Sequence, residues 1–292
     1  MKTFQFKFLA PLINFNYDEK ELQITQNCLI RKITENENSI FNTITKEMPN
    51  IKYGDFLIDC SINKSKPEKE IGQHLTEGRE NIEKVLTLLR LIREDIVGYN
   101  FIIQPYSKED YGYRITHWKH YELWFNPPQD FKSGPYNLKK EEIGILEVLA
   151  SNIIDQTYKK FSLSIEYFNK SYIEPYTPRD SLLDLMIALD SLYIRENQPE
   201  LVYRLKMRIA HLLSNNFSDR KNITELIKNA YDIRSQIIHG KKKPKITYDF
   251  LFEIRNIVRN SIVIFLLNPE INKSLDDIIM GEEIKLKKAT PN

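Results

Sequence analysis

Cysteine is nearly absent from this chain of 292 residues. The two that occur, Cys28 and Cys60, lie far apart. That number and spacing predict neither a disulfide framework nor a zinc site, and they favour a reducing compartment. Long apolar runs are also missing. The longest, Ile262 to Leu267, is far too short to span a bilayer. The opening residues, Met1-Lys2-Thr3-Phe4-Gln5-Phe6-Lys7, alternate apolar and polar, where a secretory leader would hold a continuous apolar run. A soluble, cytoplasmic protein with no membrane partner is the expectation. No Gly-rich phosphate loop, Cys/His zinc pattern or nucleophile elbow occurs, so no cofactor and no metal is expected.

Excess charge of one sign is lacking over the whole chain. Its 42 Lys/Arg nearly balance 40 Asp/Glu, so net charge selects no partner. Distribution is more informative: Pro199 to Asn260 carries 13 Lys/Arg against 6 Asp/Glu. A basic segment on a near-neutral chain is the footprint expected for a polyanion. Solvation of helix faces accounts for the same residues equally well.

What the chain does contain changes character once. The length suits two domains. Residues 1–60 read as strands: Phe4, Phe6 and Phe8 alternate with Gln5 and Lys7, and Cys28 to Ile33 is short and β-branched. Helical spacing follows from about Arg79 to Ile96, through Ile82, Val85, Leu86 and Leu89, and Gly98 ends it. Residues 99–131 are aromatic and strand-like, with His117 and His120 an odd number apart. On a strand that spacing puts them on opposite faces, which is poor geometry for one metal. The aromatics suit a sheet packed on an aromatic core, or a surface that stacks flat ligands.

From Lys139 onward nearly all periodicity is helical. The fold class expected is therefore α+β: a β-rich domain over 1–138, a helical bundle over 139–270, and a polar tail over 271–292. One helix has a clear start, with Thr177 as N-cap, Pro178 at the first position and Asp180 as third residue. Its apolar set, Leu182, Leu185, Met186, Leu189 and Leu192 among others, covers more than half the circumference, as a central helix would. Asn222-Ile223-Thr224-Glu225 offers a capping-box start for the helix that ends at His239. A last long helix spans Thr247 to Leu267.

That penultimate helix closes on Tyr231-Asp232-Ile233-Arg234-Ser235-Gln236-Ile237-Ile238-His239-Gly240. Gly240 is a natural C-terminal stop. Arg234 offers a permanent cation in a planar fork that matches phosphate oxygens. His239 offers a proton donor or acceptor near neutrality. Such a pair is sufficient for metal-free RNA cleavage. Their spacing of five sets them about 140° apart around the helix, so they flank a cleft, or face a second copy of the same helix. The structural alternatives are a His that caps the last carbonyls and an Arg bridged to Asp232 or Asp190.

The Arg-x4-His-Gly arrangement in this setting resembles the signature of the HEPN superfamily, in particular its ApeA-like branch of prokaryotic defence and abortive-infection proteins. Upstream, Asp184 to Leu192 resembles that branch's Ala-Leu-Glu-x-Leu helix, with Asp190 at the Glu position. Arg204 to Leu213 resembles the Arg-rich helix that follows. The resemblance covers about residues 140–270. It implies a metal-independent endoribonuclease, a homodimer with two Arg/His motifs facing one cleft, and a role in anti-phage defence. Arg234 and His239 would act on the phosphate and the protons, Asp190 would orient them, and Ser235 stands where relatives carry a small polar residue. Lys241, Lys242, Lys243 and Lys245, with Arg204 and Arg208, would hold RNA backbone, and a trigger or antitoxin partner would bind the N-terminal domain. A non-catalytic HEPN-like module that binds RNA, nucleotide or protein remains the rival reading. In the dimer, the apolar faces of the helices at 177–195 and 247–267 are expected to supply the interface.

Overall fold

The structure, a computed structural model, describes residues 4–47, 51–64, 71–105, 113–118, 135–154, 156–172, 177–194, 200–240, 244–280 and 286. The fold is α+β, an N-terminal antiparallel sheet followed by a helical region. Contacts divide the chain into two compact units, the first reaching Ala150 and the second beginning at Ser151. The change from strand to helix falls earlier, after the last strand at Tyr136–Leu138. The first turns of the helix at Ile143–Ile154 thus belong with the sheet.

In the first unit, β1 (Phe4–Ile13) is the hub of a seven-stranded sheet. It pairs antiparallel with β5 (Phe56–Lys64) on one side and with β7 (Phe101–Pro105) and β6 (Gly98–Tyr99) on the other. The sheet continues through β4 (Cys28–Lys32) to β3 (Glu21–Thr25), and beyond β7 to β8 (Tyr113–Trp118). A separate parallel pair joins β2 (Phe15–Tyr17) to β9 (Tyr136–Leu138).

Two helices close the sheet's faces. Leu9 packs into a cluster with Phe41 and Ile44 of α1 (Glu35–Glu47), and with Leu57, Phe101 and Ile103. Its neighbour Phe8 lies against Gly78 of α2 (Ile71–Ile92), where an added Cβ would come within 2.6 Å of the Phe8 ring. Adjacent strand residues point to opposite faces, so α1 and α2 cover opposite sides, and Gly78 permits the close approach.

Three expectations need correction here. Residues 1–60 are not all strand, because α1 interrupts them. Its start is a capping box: the Thr34 N–H donates to Glu37 Oε2 at 3.0 Å, and the Glu37 N–H donates to Thr34 Oγ1 at 3.4 Å. Helix α2 begins at Ile71 rather than near Arg79. Cys28 and Cys60 are bonded to each other. They sit directly opposite in the β4–β5 ladder, with Cα atoms 4.2 Å apart, as in a closely spaced antiparallel pair. Their separation of 32 positions along the chain hid this pairing, and the compartment argument built on unpaired cysteines loses its premise. Of the aromatic stretch 99–131, residues 106–112 and 119–131, including His120, lie outside the described residues.

The second unit contains α4 (Gln156–Lys160), α5 (Ser162–Lys170), α6 (Pro178–Tyr193), α7 (Leu201–Leu213), α8 (Phe217–Ile238), α9 (Tyr248–Leu267) and α10 (Leu275–Ile279), with α3 (Ile143–Ile154) leading in. Helix α6 is central and packs against α5, α7, α8 and α9. Its start is the predicted one: the Thr177 side chain accepts from the Asp180 N–H, and the Asp180 carboxylate accepts from the Thr177 N–H at 3.1 Å. Leu182, Leu185, Met186, Leu189 and Tyr193 are all fully buried. Helix α8 starts earlier than predicted, at Phe217, where the Asn216 side chain accepts from the Ser218 N–H. Among the described residues no helix is long and apolar enough to cross a membrane.

The tail departs most from expectation. Residues 271–279 form a 3-10 turn and α10, and Ile271, Leu275 and Ile278 are buried. Helix α10 packs on α7. The sequence hides this because so short a segment supplies only three apolar anchors among polar residues.

Candidate functional site

The C-terminal half of α8 carries the predicted residues, and α6 supports them. Gly240 adopts a left-handed conformation at φ 63°, which only glycine takes without strain. The helix thereby ends at His239, whose N–H donates to the Ser235 carbonyl at 3.0 Å. Arg179, in the first turn of α6, donates to the Ile237 carbonyl at 3.2 Å. A cation on the last carbonyls complements the negative end of the helix dipole and fixes the end of α8 against α6. Arg179 was not anticipated.

Arg234 Nη1 lies 3.0 Å from Asp190 Oδ2, and 28% of the Arg234 side chain remains exposed. The Tyr231 hydroxyl donates to Asp190 Oδ1. The Arg234 guanidinium lies over the Tyr231 ring, 5.3 Å from its centroid. Tyr231 and Arg234 are three residues apart, hence on one helix face, and both meet the side of α6 that carries Asp190. Burial pushes the Asp190 carboxyl above its ordinary value, while the Tyr231 and Arg234 contacts pull it back. Burial first, then the Asp190 charge, pushes the Tyr231 hydroxyl well above its ordinary value, so it remains a donor. Of the two acids proposed as partners for Arg234, Asp190 is the one it meets.

His239 and Ser235 are exposed. Neither side chain has a hydrogen-bond partner among the described residues. Ile238 beside them is 62% exposed, while Ile237 is buried and anchors the turn. The structure thus brings Arg234 and Asp190 together, and leaves His239 and Ser235 on the open side of the helix end. Lys245 is exposed just beyond; Lys241, Lys242 and Lys243 lie outside the described residues.

Arg208 is buried away from solvent, which corrects its expected role on RNA backbone, while Arg204 keeps 38% of its side chain exposed. Arg208 is 1% exposed. It donates through Nη2 to Asp276 Oδ1 at 2.7 Å and through Nη1 to the Tyr193 carbonyl at 2.5 Å. Arg204 lies 3.7 Å from the same Asp276 oxygen. Both hold α10 onto α7. His211, on the same helix, also bonds the Ile278 backbone, and its imidazole is pulled below its ordinary value by burial and by Arg220. The interface expected from the apolar faces of α6 and α9 is corrected likewise. Those faces fill the unit's own core: Leu185, Leu189, Ile254 and Val258 are fully buried.

Among the described residues no group of His, Cys, Asp and Glu is placed to hold a metal ion. Compared with protein-family models, curated proteins and solved structures, the chain matches none.

Proposed function

We propose that the second unit is a metal-independent endoribonuclease of HEPN type. One observation carries the reading: a partly exposed Arg234, oriented by Asp190, stands five residues before an exposed His239 at the end of the same helix. In the reaction the ribose 2′-oxygen attacks the adjacent phosphorus and the bond to the 5′-oxygen breaks. His239 moves the proton that leaves the 2′-hydroxyl or arrives on the 5′-oxygen. Arg234 holds the phosphate and stabilises the charge that grows on it. Ser235 lies beside the path and can hydrogen-bond a phosphate oxygen. The products are a 2′,3′-cyclic phosphate and a 5′-hydroxyl. DNA, which lacks the 2′-hydroxyl, is not cut.

The angle of about 140° between the two residues supports a homodimer in which two copies of Arg234 and His239 share one cleft, with Lys245 and the preceding lysines at its rim. A C2 interface would supply both sets from one patch. Cutting host or invader RNA in anti-phage defence, from the cytoplasm and under a trigger or antitoxin that binds the first unit, completes the proposal. The rival is a non-catalytic module that binds RNA, nucleotide or protein. It draws on the Asp190–Arg234 ion pair, which a purely structural contact would also form.

Incubation of the purified protein with total RNA in EDTA separates these readings. Cleavage should persist and leave cyclic or 3′-phosphate ends, and His239→Ala or Arg234→Ala should each remove it. Fragments ending in 3′-hydroxyl, rescue that requires Mg²⁺, or full activity in either variant would overturn the nuclease. Sedimentation as a monomer that still cuts RNA would remove the shared cleft.

A further inference from the structure

The geometry points to Tyr231 as a positioning residue, whose hydroxyl keeps the Arg234 guanidinium free to meet a phosphate. The inference rests on the nuclease reading for its consequence in catalysis, and on the α6–α8 contact for its physical basis.

The starting point is how Asp190 is shared. A carboxylate and a guanidinium left to themselves close into a bidentate fork, with two N–H donors on two oxygens. That arrangement would consume an edge of Arg234. Here the two oxygens are divided. Oδ1 accepts from the Tyr231 hydroxyl and Oδ2 meets Arg234 Nη1. Arg234 meets the carboxylate through one nitrogen, and its other close partner is the Tyr231 side chain itself. The Tyr231 ring beneath the guanidinium, 5.3 Å from centroid to carbon, fixes its plane through a cation–π contact. One nitrogen tethered and the plane set, the other edge of the fork stays presented at the exposed side.

The hydroxyl must be a donor for this to work. Burial and the adjacent Asp190 charge keep its proton in place. Neither task needs Tyr231 to touch RNA, so it positions and does not react. Loss of the hydroxyl alone, in Tyr231→Phe, lets Arg234 swing onto both Asp190 oxygens while the ring contact survives.

The test compares wild type, Tyr231→Phe, Asp190→Asn and the double variant in RNA cleavage. The same proteins are followed by the ¹⁵N signals of the Arg234 guanidinium, which also report an intact fold. Tyr231→Phe should lower kcat about tenfold, in line with one hydrogen bond to a charged group, and change KM less than about threefold. In the Asp190→Asn background the same change should have no further effect, because Tyr231 acts through Asp190. The Arg234 signals should shift in Tyr231→Phe as a second nitrogen engages the carboxylate. Wild-type kcat in Tyr231→Phe, or losses that multiply independently in the double variant, would overturn the proposal. If wild type cuts no RNA, the nuclease reading falls by itself. The guanidinium signals then decide the arrangement, and signals identical in wild type and Tyr231→Phe overturn it.

Discussion

Arg31 in the first unit and Arg234 in the second are both partly buried arginines set against carboxylates of neighbouring elements. They differ in how much of the fork is used. Arg31 Nε meets Asp59 Oδ2 at 2.8 Å, Nη2 meets Glu37 Oε1 at 2.6 Å, and Nη1 meets Glu37 Oε2 at 2.8 Å and the Lys32 carbonyl at 3.1 Å. Its side chain is 16% exposed. Each nitrogen is engaged, and the cluster fastens the first turn of α1 to β4 and β5. Burial alone would raise the Glu37 carboxyl, but the Arg31 fork and the Thr34 donors outweigh it and hold the group below its ordinary value. Arg234 makes one ion contact and keeps more exposure. A saturated arginine is a fastener; an arginine with an edge to spare, beside an exposed histidine, is available to an anion.

The sharpest way to break the comparison is to remove each arginine and read both activity and stability. Arg234→Ala should lower RNA cleavage by a factor on the order of 10³, yet cost only about 1 kcal/mol in unfolding free energy, since its ion pair is partly solvated. Arg31→Met should do the reverse. Removing one member of a buried ion cluster costs about 3 kcal/mol, and cleavage per folded molecule should not change. The Glu37 share of that stability is present above its unfolded value. It fades as pH falls through the lowered folded value. Urea melts at neutral and acid pH, with RNA cleavage on the same samples, decide. An Arg31→Met chain as stable as wild type would erase the distinction.

A third arginine sharpens the contrast at smaller amplitude. Arg208 is fully buried like a fastener, but its acid, Asp276, has a side chain 41% exposed. Arg208→Met should therefore cost less, about 2 kcal/mol from lost charged hydrogen bonds. The loss should appear first as release of α10, seen as faster amide exchange over 271–280 than over α6. Uniform exchange across both segments would show that α10 is not held by this contact.

These three arginines also mark how far the sequence can be read. The Thr177–Asp180 capping box was legible because both members are local. The same device at Thr34–Glu37 passed unseen, because β-branched and alternating residues around it favour strands. Arg234, His239 and Asp190 were legible as a motif and its upstream acid. What Asp190 shares with Tyr231 was not: the two lie 41 residues apart, and only the crossing of α6 and α8 joins them. Arg208 was misassigned for the same reason, its acid lying 68 residues away in a segment that reads as tail.

The smallest effect concerns a carboxylate with no arginine. Asp184, six residues before Asp190 on α6, is 8% exposed, and its Oδ2 has no hydrogen-bond partner among the described residues. Burial pushes its carboxyl up to about 6; Lys170 opposes this and Asp180 reinforces it. Lys170 is already paired with Glu166 at 2.7 Å, so it offers Asp184 little relief. The folded chain thus holds this proton to about pH 6, while the unfolded chain releases it near the ordinary value of 3.8. Between those values the folded state binds more protons, so this group's contribution to stability falls as pH rises, and the whole cost is present above pH 6. Allowing for solvent screening, that cost is about 1 kcal/mol. Asp184→Asn removes the charge and should stabilise the second unit by that amount at neutral pH. It should give no gain below about pH 4, where both residues are neutral. Asp190 shares this sign, because burial also raises its carboxyl, but Tyr231 and Arg234 oppose the rise, so Asp190→Asn should gain less at neutral pH than Asp184→Asn. Thermal melts of both variants at two pH values test the pair. A gain from Asp184→Asn that is equal at both would mean that the side chain's shape, and not its charge, sets the effect.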